Sequence, residues 1–226
     1  MTFDYYDEKL GAEKLQRVYA IAPPRVKEYL EAEVRHVLEK VFDGAAVLEL
    51  GCGYGRVLEQ LAAKTGELWG IDTSLASLKL AHQTLSAHKN IFLAQMNAAN
   101  LAFRDHGFDL VVCIQNGISA FHVDQKRLIA ESLRVTKRGG LVLFSSYSEK
   151  FWDERLHWFE LQAQHRLLGE IDREKTGNGI IVCRDGFTAT TVDEAGFRLL
   201  TQGLNADVEL LEVDRSSLFC EIHLKQ

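Results

Sequence analysis

Val47-Leu48-Glu49-Leu50-Gly51-Cys52-Gly53-Tyr54-Gly55-Arg56-Val57-Leu58 is the stretch from which the fold can be predicted. A short apolar run leads into a glycine cluster, and a helical pattern follows at once. Glycine permits positive φ and lets a ligand approach bare backbone, and a helix start offers unpaired N–H groups to that ligand. The stretch therefore predicts a strand, a tight turn and a helix, the first half of a nucleotide-type binding unit.

The spacing of the glycines separates two ligand classes. A dinucleotide fingerprint requires Gly-x-Gly-x-x-Gly or Ala, but the sixth position counted from Gly51 is Arg56. This disfavours a nicotinamide-dependent dehydrogenase. The residues from Glu49 to Gly55 read Glu-x-Gly-x-Gly-x-Gly, which resembles motif I of the class I S-adenosylmethionine-dependent methyltransferases, specifically their type 11/25, small-molecule branch.

Composition narrows the class of protein further. The chain has 226 residues, of which 46% are hydrophobic and 26% charged, typical of one α/β domain with an ordinary core. The formal net charge of −6 argues against a nucleic-acid partner, because phosphate binding depends on Lys and Arg. The first residues lack the basic and apolar regions of a signal peptide, and no apolar run approaches the roughly 20 residues of a membrane helix. With four scattered cysteines, we expect a cytoplasmic protein that does not meet a membrane.

Apolar runs alternate with helical patterns along the chain, which predicts an α/β fold with a doubly wound, Rossmann-like sheet. The seven predicted strands are 45–50, 67–72, 91–96, 110–114, 141–145, 208–213 and 218–224. The family resemblance implies a mostly parallel sheet with an antiparallel last strand. We predict that residues 1–42 form an N-terminal helical cap within the same domain. Residues 43–226 are predicted to form the cofactor-binding domain, with a helix and hairpin insertion at about 149–191.

An acidic residue ends the second predicted strand. Asp72 follows Gly51 by 21 positions, near the offset of about 20 at which a carboxylate binds ribose. At that edge of a doubly wound sheet the carboxylate accepts from both ribose hydroxyls. A simple helix N-cap is the alternative interpretation.

The resemblance implies S-adenosylmethionine as cofactor and S-adenosylhomocysteine as product. It implies that Glu49 reaches the methionine amino end and that Arg56 or an N-terminal tyrosine meets the carboxylate. A solvated loop pair is the alternative for Glu49 and Arg56. The carbonyl of Gln115, after the fourth strand, is expected to accept from the ammonium.

The adenine site follows from the same resemblance. Thr73 flanks the ring, and Asn97 with Ala98 reads its edge, although the family more often has an acidic residue where Asn97 stands. The complete cofactor-binding set is Glu49, Gly51, Cys52, Gly53, Arg56, Asp72, Thr73, Asn97, Ala98 and Gln115.

Transfer of a methyl group from a sulfonium needs little chemical assistance from the protein. The methyl is already electrophilic, so the protein mainly aligns the acceptor at about 3 Å and excludes water. A general base helps an oxygen or protonated-nitrogen acceptor. His122, just past the strand-four loop, is the first candidate because histidine titrates near neutrality. Its alternative is a surface histidine at a helix start. Tyr147, at the end of strand five, is the second candidate.

The expected function is methyl transfer from S-adenosylmethionine to O, N or S of a small molecule. A protein- or RNA-directed methyltransferase and a non-catalytic cofactor-binding protein remain the alternatives, and the oligomeric state stays open. No metal is expected, because the histidines and cysteines lack ligand spacing.

Overall fold

The computed structural model describes residues 12–226. Tyr5 and Tyr6, two of the N-terminal tyrosines that could meet the cofactor carboxylate, lie outside the described residues.

Nine strands occur in this part of the chain, and seven of them form one sheet. Their bounds are β1 Ala45–Leu50, β2 Thr65–Asp72, β3 Ile91–Gln95, β4 Phe108–Cys113, β5 Thr136–Tyr147, β6 Ile181–Val182, β7 Thr188–Ala189, β8 Ala206–Val213 and β9 Ser217–Leu224. The large sheet has the order β3-β2-β1-β4-β5-β9-β8. Strand β9 runs antiparallel to both neighbours, whereas the other pairs are parallel. The predicted doubly wound sheet with an antiparallel last strand is confirmed.

Helices flank the sheet and begin at residues suited to that position. They are α1 Glu13–Ala20, α2 Pro24–Lys40, α3 Arg56–Leu61, α4 Leu75–Thr84, α5 Gly117–Ala120, α6 Gln125–Val135, α7 Trp152–Gln164 and α8 Glu194–Thr201, with a short 3-10 turn Glu149–Phe151 before α7. Proline opens α2, where its missing N–H costs nothing. Ser74, Asp124 and Asp193 cap α4, α6 and α8 by accepting from a backbone N–H.

The helix after the glycine turn is shorter than predicted. The sequence pattern suggests a helix from about 54 to 65, but α3 covers only Arg56–Leu61. Gly55 has φ 89°, a left-handed conformation that places the helix start at Arg56. At the other end Thr65 is already in β2, and its hydroxyl donates to the carbonyl of Leu61 at 3.2 Å.

Three buried apolar clusters hold the fold together. Neighbouring residues of β1 alternate between the two faces of the sheet, so Val47 packs in one cluster and Leu48 in another. The third cluster lies outside the sheet and joins α1 and α2 to the segment after β5, with Val18, Tyr29 and Trp158 among its members. Helix α7 carries apolar side chains that pack against the N-terminal helices in this cluster.

Two residues of α2 differ from their predicted environment. The helical pattern puts Glu33 on the solvent-facing side and reads His36 as a surface residue. In the structure Glu33 is 0% exposed and His36 is 8% exposed. Each has a polar partner on β9, Ser217 for Glu33 and Glu221 for His36, which makes burial tolerable.

Candidate functional site

The glycine turn lies at the carboxyl edge of β1 and is anchored to β2. The N–H groups of Gly51 and Cys52 both donate to the carbonyl of Ile71, at 2.8 Å and 2.9 Å. Gly51 and Gly53 have φ values of 74° and 54°. Glycine is favoured at both positions because L side chains rarely adopt this conformation.

Asp72 fixes the turn from the end of β2. One carboxylate oxygen accepts from the N–H of Gly53 at 2.8 Å, and the other accepts from the N–H of Ser74 at 2.8 Å. The cap of α4 is Ser74, whose hydroxyl accepts from Ser77. Ser74, and not Asp72, is therefore the N-cap of α4. The carboxylate of Asp72 is hydrogen-bonded to the glycine turn through Gly53.

Three polar side chains beside the turn keep buried atoms without a hydrogen-bond partner among residues 12–226. These atoms are Oε2 of Glu49, Nη2 of Arg56 and Nε2 of Gln115. Glu49 is only 4% exposed, which argues against a solvated loop pair. Burial raises the pKa of Glu49 to about 8, although the nearby Arg56 guanidinium favours its charged form.

Helix α1 covers this turn. The Tyr19 hydroxyl donates to Oε1 of Gln115 at 3.1 Å, and the guanidinium of Arg56 lies 4.7 Å from the centre of the Tyr19 ring. A Cβ added to Gly53 would lie 2.9 Å from Leu15 of the same helix. Of the N-terminal tyrosines proposed to reach the site, Tyr19 is the one that the structure describes there.

The predicted adenine residues lie at the ends of β2 and β3. Thr73 and Asn97 are exposed, and Ala98 is buried. The amide oxygen of Asn97 accepts from the N–H of Ala99 at 2.8 Å and so closes its own turn. Its second lone pair is the one that could face a ligand.

A small aromatic pocket, partly open to its surroundings, lies between α1, α2 and α7. Its volume is about 70 Å³, and its lining includes Tyr19, Tyr29, Gln115, Tyr147 and Trp158. Gln115 thus belongs both to the polar cluster beside the turn and to this pocket. The juxtaposition places a small pocket, with polar and apolar surface in about equal parts, next to the predicted cofactor site.

The two base candidates differ in position. Tyr147 is 9% exposed and lines the pocket, and burial raises its pKa well above the usual value. His122 is exposed, with φ 51°, in the turn before α6. It is not among the described residues that line the pocket.

Sequence reasoning missed Arg155, whose side chain is 1% exposed. Its guanidinium lies 4.6 Å from the centre of the Tyr147 ring. It donates to the carbonyls of Gly179 and Ala189 at 2.8 Å and 3.1 Å. These partners follow it by 24 and 34 positions, so the sequence carries no local sign of its burial.

A second charged cluster lies between α2 and β9. Glu221 accepts from Lys40 at 2.8 Å and lies 2.7 Å from Nε2 of His36. Ligand atoms of Glu209, Glu221 and His223 fall within 4.8 Å of one another. Burial opposes the charge of Glu221, but its bonds to His36 and Lys40 prevail and lower its pKa to about 2. The carboxylate is therefore already paired with the Lys40 ammonium and in contact with His36.

Within residues 12–226, every helix is too short or too polar to cross a bilayer.

Comparison with known proteins adds to this geometry. Residues 47–140 match the family model described as "Methyltransferase domain". A demethylmenaquinone methyltransferase of Bacillus licheniformis is 32% identical over 140 residues, which cover 59% of each chain. A ubiquinone biosynthesis O-methyltransferase of Alkalilimnicola ehrlichii is 33% identical over 107 residues, which cover 46% of this chain and 42% of that one. This chain thus spans less than two thirds of either relative's length.

Solved structures resemble the chain over its whole length. The N-methyltransferase NodS of Bradyrhizobium japonicum, in complex with S-adenosylhomocysteine, matches with a TM-score of 0.66 at 16% identity. The match covers 100% of this chain and 99% of that one. At this identity the likeness shows a common fold.

Proposed function

Because this chain belongs to the class I S-adenosylmethionine-dependent methyltransferases, in their type 11/25 branch, we propose that it methylates a small molecule on O, N or S. S-adenosylhomocysteine is the expected product. The relatives named above act on demethylmenaquinone and in ubiquinone biosynthesis, which supports a small-molecule acceptor.

The observation that carries this proposal is the set of buried polar atoms beside the glycine turn. Oε2 of Glu49, Nη2 of Arg56 and Nε2 of Gln115 find no partner among the described residues. Buried polar atoms in native proteins are almost always paired. A zwitterionic amino-acid end would complete them, its carboxylate accepting from Arg56 and from Nε2 of Gln115 and its ammonium donating to Glu49. The donor set therefore fits the methionine portion of the cofactor.

Some residues of the site would bind the cofactor, and others would shape the space for the acceptor. The cofactor supplies an electrophilic methyl on its sulfonium, so no protein nucleophile is required. Arg56, Glu49 and Gln115 would hold its amino-acid end, and Asp72 would face its ribose from the mouth of the turn. The aromatic walls around Tyr147 would exclude water from the acceptor.

Tyr147 is proposed to orient the acceptor rather than to remove its proton. Its raised pKa means that the phenol keeps its proton at neutral pH, so it can donate a hydrogen bond. His122 is retained as a candidate base only for a proton released towards solvent, because its side chain is exposed.

The relatives and the net charge favour a small acceptor over a macromolecule. The named relatives include enzymes of menaquinone and ubiquinone methylation, whose acceptors are small molecules. The net charge of −6 gives no support to an RNA substrate.

Four free cysteines, all buried, support a reducing, cytoplasmic setting.

Calorimetric titration with S-adenosylmethionine and S-adenosylhomocysteine tests the proposal. We expect binding of both at micromolar concentration to the folded protein. A folded protein that binds neither would refute it. Tight binding without release of S-adenosylhomocysteine from any acceptor of a broad panel would instead identify a non-catalytic cofactor-binding protein.

A further inference from the structure

The aromatic pocket is too small to contain a whole acceptor. Its volume is about 70 Å³, whereas a dry cavity that binds benzene measures about 150 Å³. A single aromatic ring therefore does not fit. The pocket can take the reacting atom and one or two neighbouring atoms, so the body of the acceptor must lie elsewhere.

A larger groove adjoins the pocket at Tyr147, which lines both spaces. Its volume is about 1020 Å³, which is ample for a ring system. Trp152 and Arg155 line it on the side of α7. Because Tyr147 is common to both linings, the groove and the pocket meet at this one side chain.

The far wall of the groove is fixed directly to the loop that carries Gln115. The neighbouring Asn116 donates to the carbonyl of Thr190 at 2.9 Å and accepts from the hydroxyl of Ser146 at 2.9 Å. The same hydroxyl accepts from the N–H of Val192 at 2.9 Å. Thr190 and Val192 both line the groove. The groove wall and the cofactor-side loop are therefore held in one hydrogen-bonded unit.

Two large apolar side chains of the groove lining face solvent. Leu199 is 63% exposed and Ile180 is 40% exposed, and both line the groove. Polar side chains of the same lining, such as Gln125 and Asn178, can bond to substituents. The lining thus suits a body with an apolar edge and a few polar groups.

We propose that the acceptor is a two-part molecule. Its body, at least one ring in size and apolar at one edge, lies in the groove, and its nucleophilic atom sits on a short arm that passes Tyr147 into the aromatic pocket. This inference rests on the proposed methyltransferase function and specifies its class of substrate.

Fluorine NMR on protein labelled with fluorotryptophan tests the placement, because each of the 3 tryptophans reports a different region. Trp152 lines the groove, Trp158 lines the pocket, and Trp69 stacks on Phe92 in the β2–β3 region. The Trp→Phe variants assign the three signals. The probe is naphthylethanol, a fused ring pair with a hydroxyl on a two-carbon arm, added in the presence of S-adenosylhomocysteine.

We expect naphthylethanol to shift the signals of Trp152 and Trp158 and to leave that of Trp69 unchanged. A shift of Trp158 alone would overturn the proposal, since the ring body would then enter the pocket. A Trp152 signal that stays unchanged up to the solubility limit would also overturn it.

A matched pair of variants tests the apolar part of the groove lining. Replacing both Ile180 and Leu199 by serine should weaken naphthylethanol binding about tenfold, because apolar area of the lining is lost. Val208→Ser, at an apolar residue that is 38% exposed outside the groove lining, should have no effect. Equal affinities of the two variants would contradict the proposal. Calorimetry with S-adenosylhomocysteine distinguishes a wrong acceptor model from a wrong proposed function. Binding of S-adenosylhomocysteine should be absent only if the proposed function is wrong.

Discussion

The carboxylate of Glu33 accepts a hydrogen bond from the backbone N–H of Gln115 at 2.7 Å. The two residues are 82 positions apart, and their bond ties helix α2 to the loop after β4. Gln115 and the adjacent Asn116 have φ values of 57° and 62°. Residues other than glycine seldom adopt this conformation, so the bond to Glu33 helps to hold Gln115 in it. Glu33 therefore acts as a positioning residue for Gln115, which faces the predicted cofactor site.

Replacing Glu33 by glutamine should change how stability depends on pH. Burial raises the pKa of Glu33 to about 7, despite hydrogen bonds from Ser217 and Gln115 that favour the carboxylate. In the unfolded chain the pKa is about 4.3. The folded state thus holds the proton more tightly, and this stabilisation is full below about pH 4 and is lost as the pH rises through about 7.

The expected size of this effect is about 3 kcal/mol in the free energy of unfolding. Urea denaturation of both proteins at a series of pH values from about 4 to about 8 measures it. The wild type should lose stability relative to Glu33→Gln across this range, because the glutamine cannot titrate. Parallel pH profiles for the two proteins would contradict the interpretation.

The sheet could be predicted from the sequence because its signals are local. Alternating apolar runs, the glycine turn and Asp72 each lie within a few residues of the structure they indicate.

Glu33 also lies in the buried helical stripe, four positions before Val37. Its charge led to the solvent-facing prediction, whereas the structure buries it by supplying Gln115 and Ser217 as partners.

The acceptor side was predictable only in outline. Tyr147 was identified from its place at the end of a strand, and it lines the pocket. His122 follows the expected loop, but its left-handed turn leaves the side chain exposed. The direction of a loop side chain depends on tertiary packing, which cannot be inferred from the spacing of residues along the sequence.

Glu49→Gln should remove a pH dependence from cofactor binding. Burial raises the pKa of Glu49 to about 8, so the side chain is mostly protonated near neutrality. An ammonium group beside it would favour the carboxylate and release the proton on binding. We expect the affinity of the wild type for S-adenosylhomocysteine to rise between about pH 6 and about pH 8, by at most tenfold per pH unit. Calorimetry should find a flatter profile for the variant, and identical profiles would argue against contact between Glu49 and the ammonium.

Asp72→Ala should weaken binding of S-adenosylhomocysteine by roughly 1–3 kcal/mol, the range for lost hydrogen bonds to a charged group. The substitution also removes the acceptor of the Gly53 and Ser74 N–H groups, so the turn itself should loosen. Asp207→Ala is the matched control, because that side chain is 81% exposed on the edge strand β8. Calorimetric affinities that are equal for the two variants would exclude a role for Asp72 at the ribose.

Gly70→Ala should destabilise the fold through the packing behind the glycine turn. A Cβ at this position would lie 2.5 Å from Cδ1 of Leu58 and 2.9 Å from the sulfur of Cys52. Both neighbours are buried, at 0% and 5% exposed, so neither can move without disturbing the core. Overpacking of this kind costs about 1–3 kcal/mol.

Gly177→Ala provides the matched control, since an added Cβ there meets no atom within 4 Å. Its free energy of unfolding should stay within about 0.5 kcal/mol of the wild type. Urea denaturation compares the two variants, and titration with S-adenosylhomocysteine shows whether the disturbance reaches the turn. Because Cys52 belongs to that turn, Gly70→Ala should weaken cofactor binding as well as stability. Equal stabilities of the two variants would mean that the β2 core accommodates the methyl group, and the packing argument for Gly70 would be wrong.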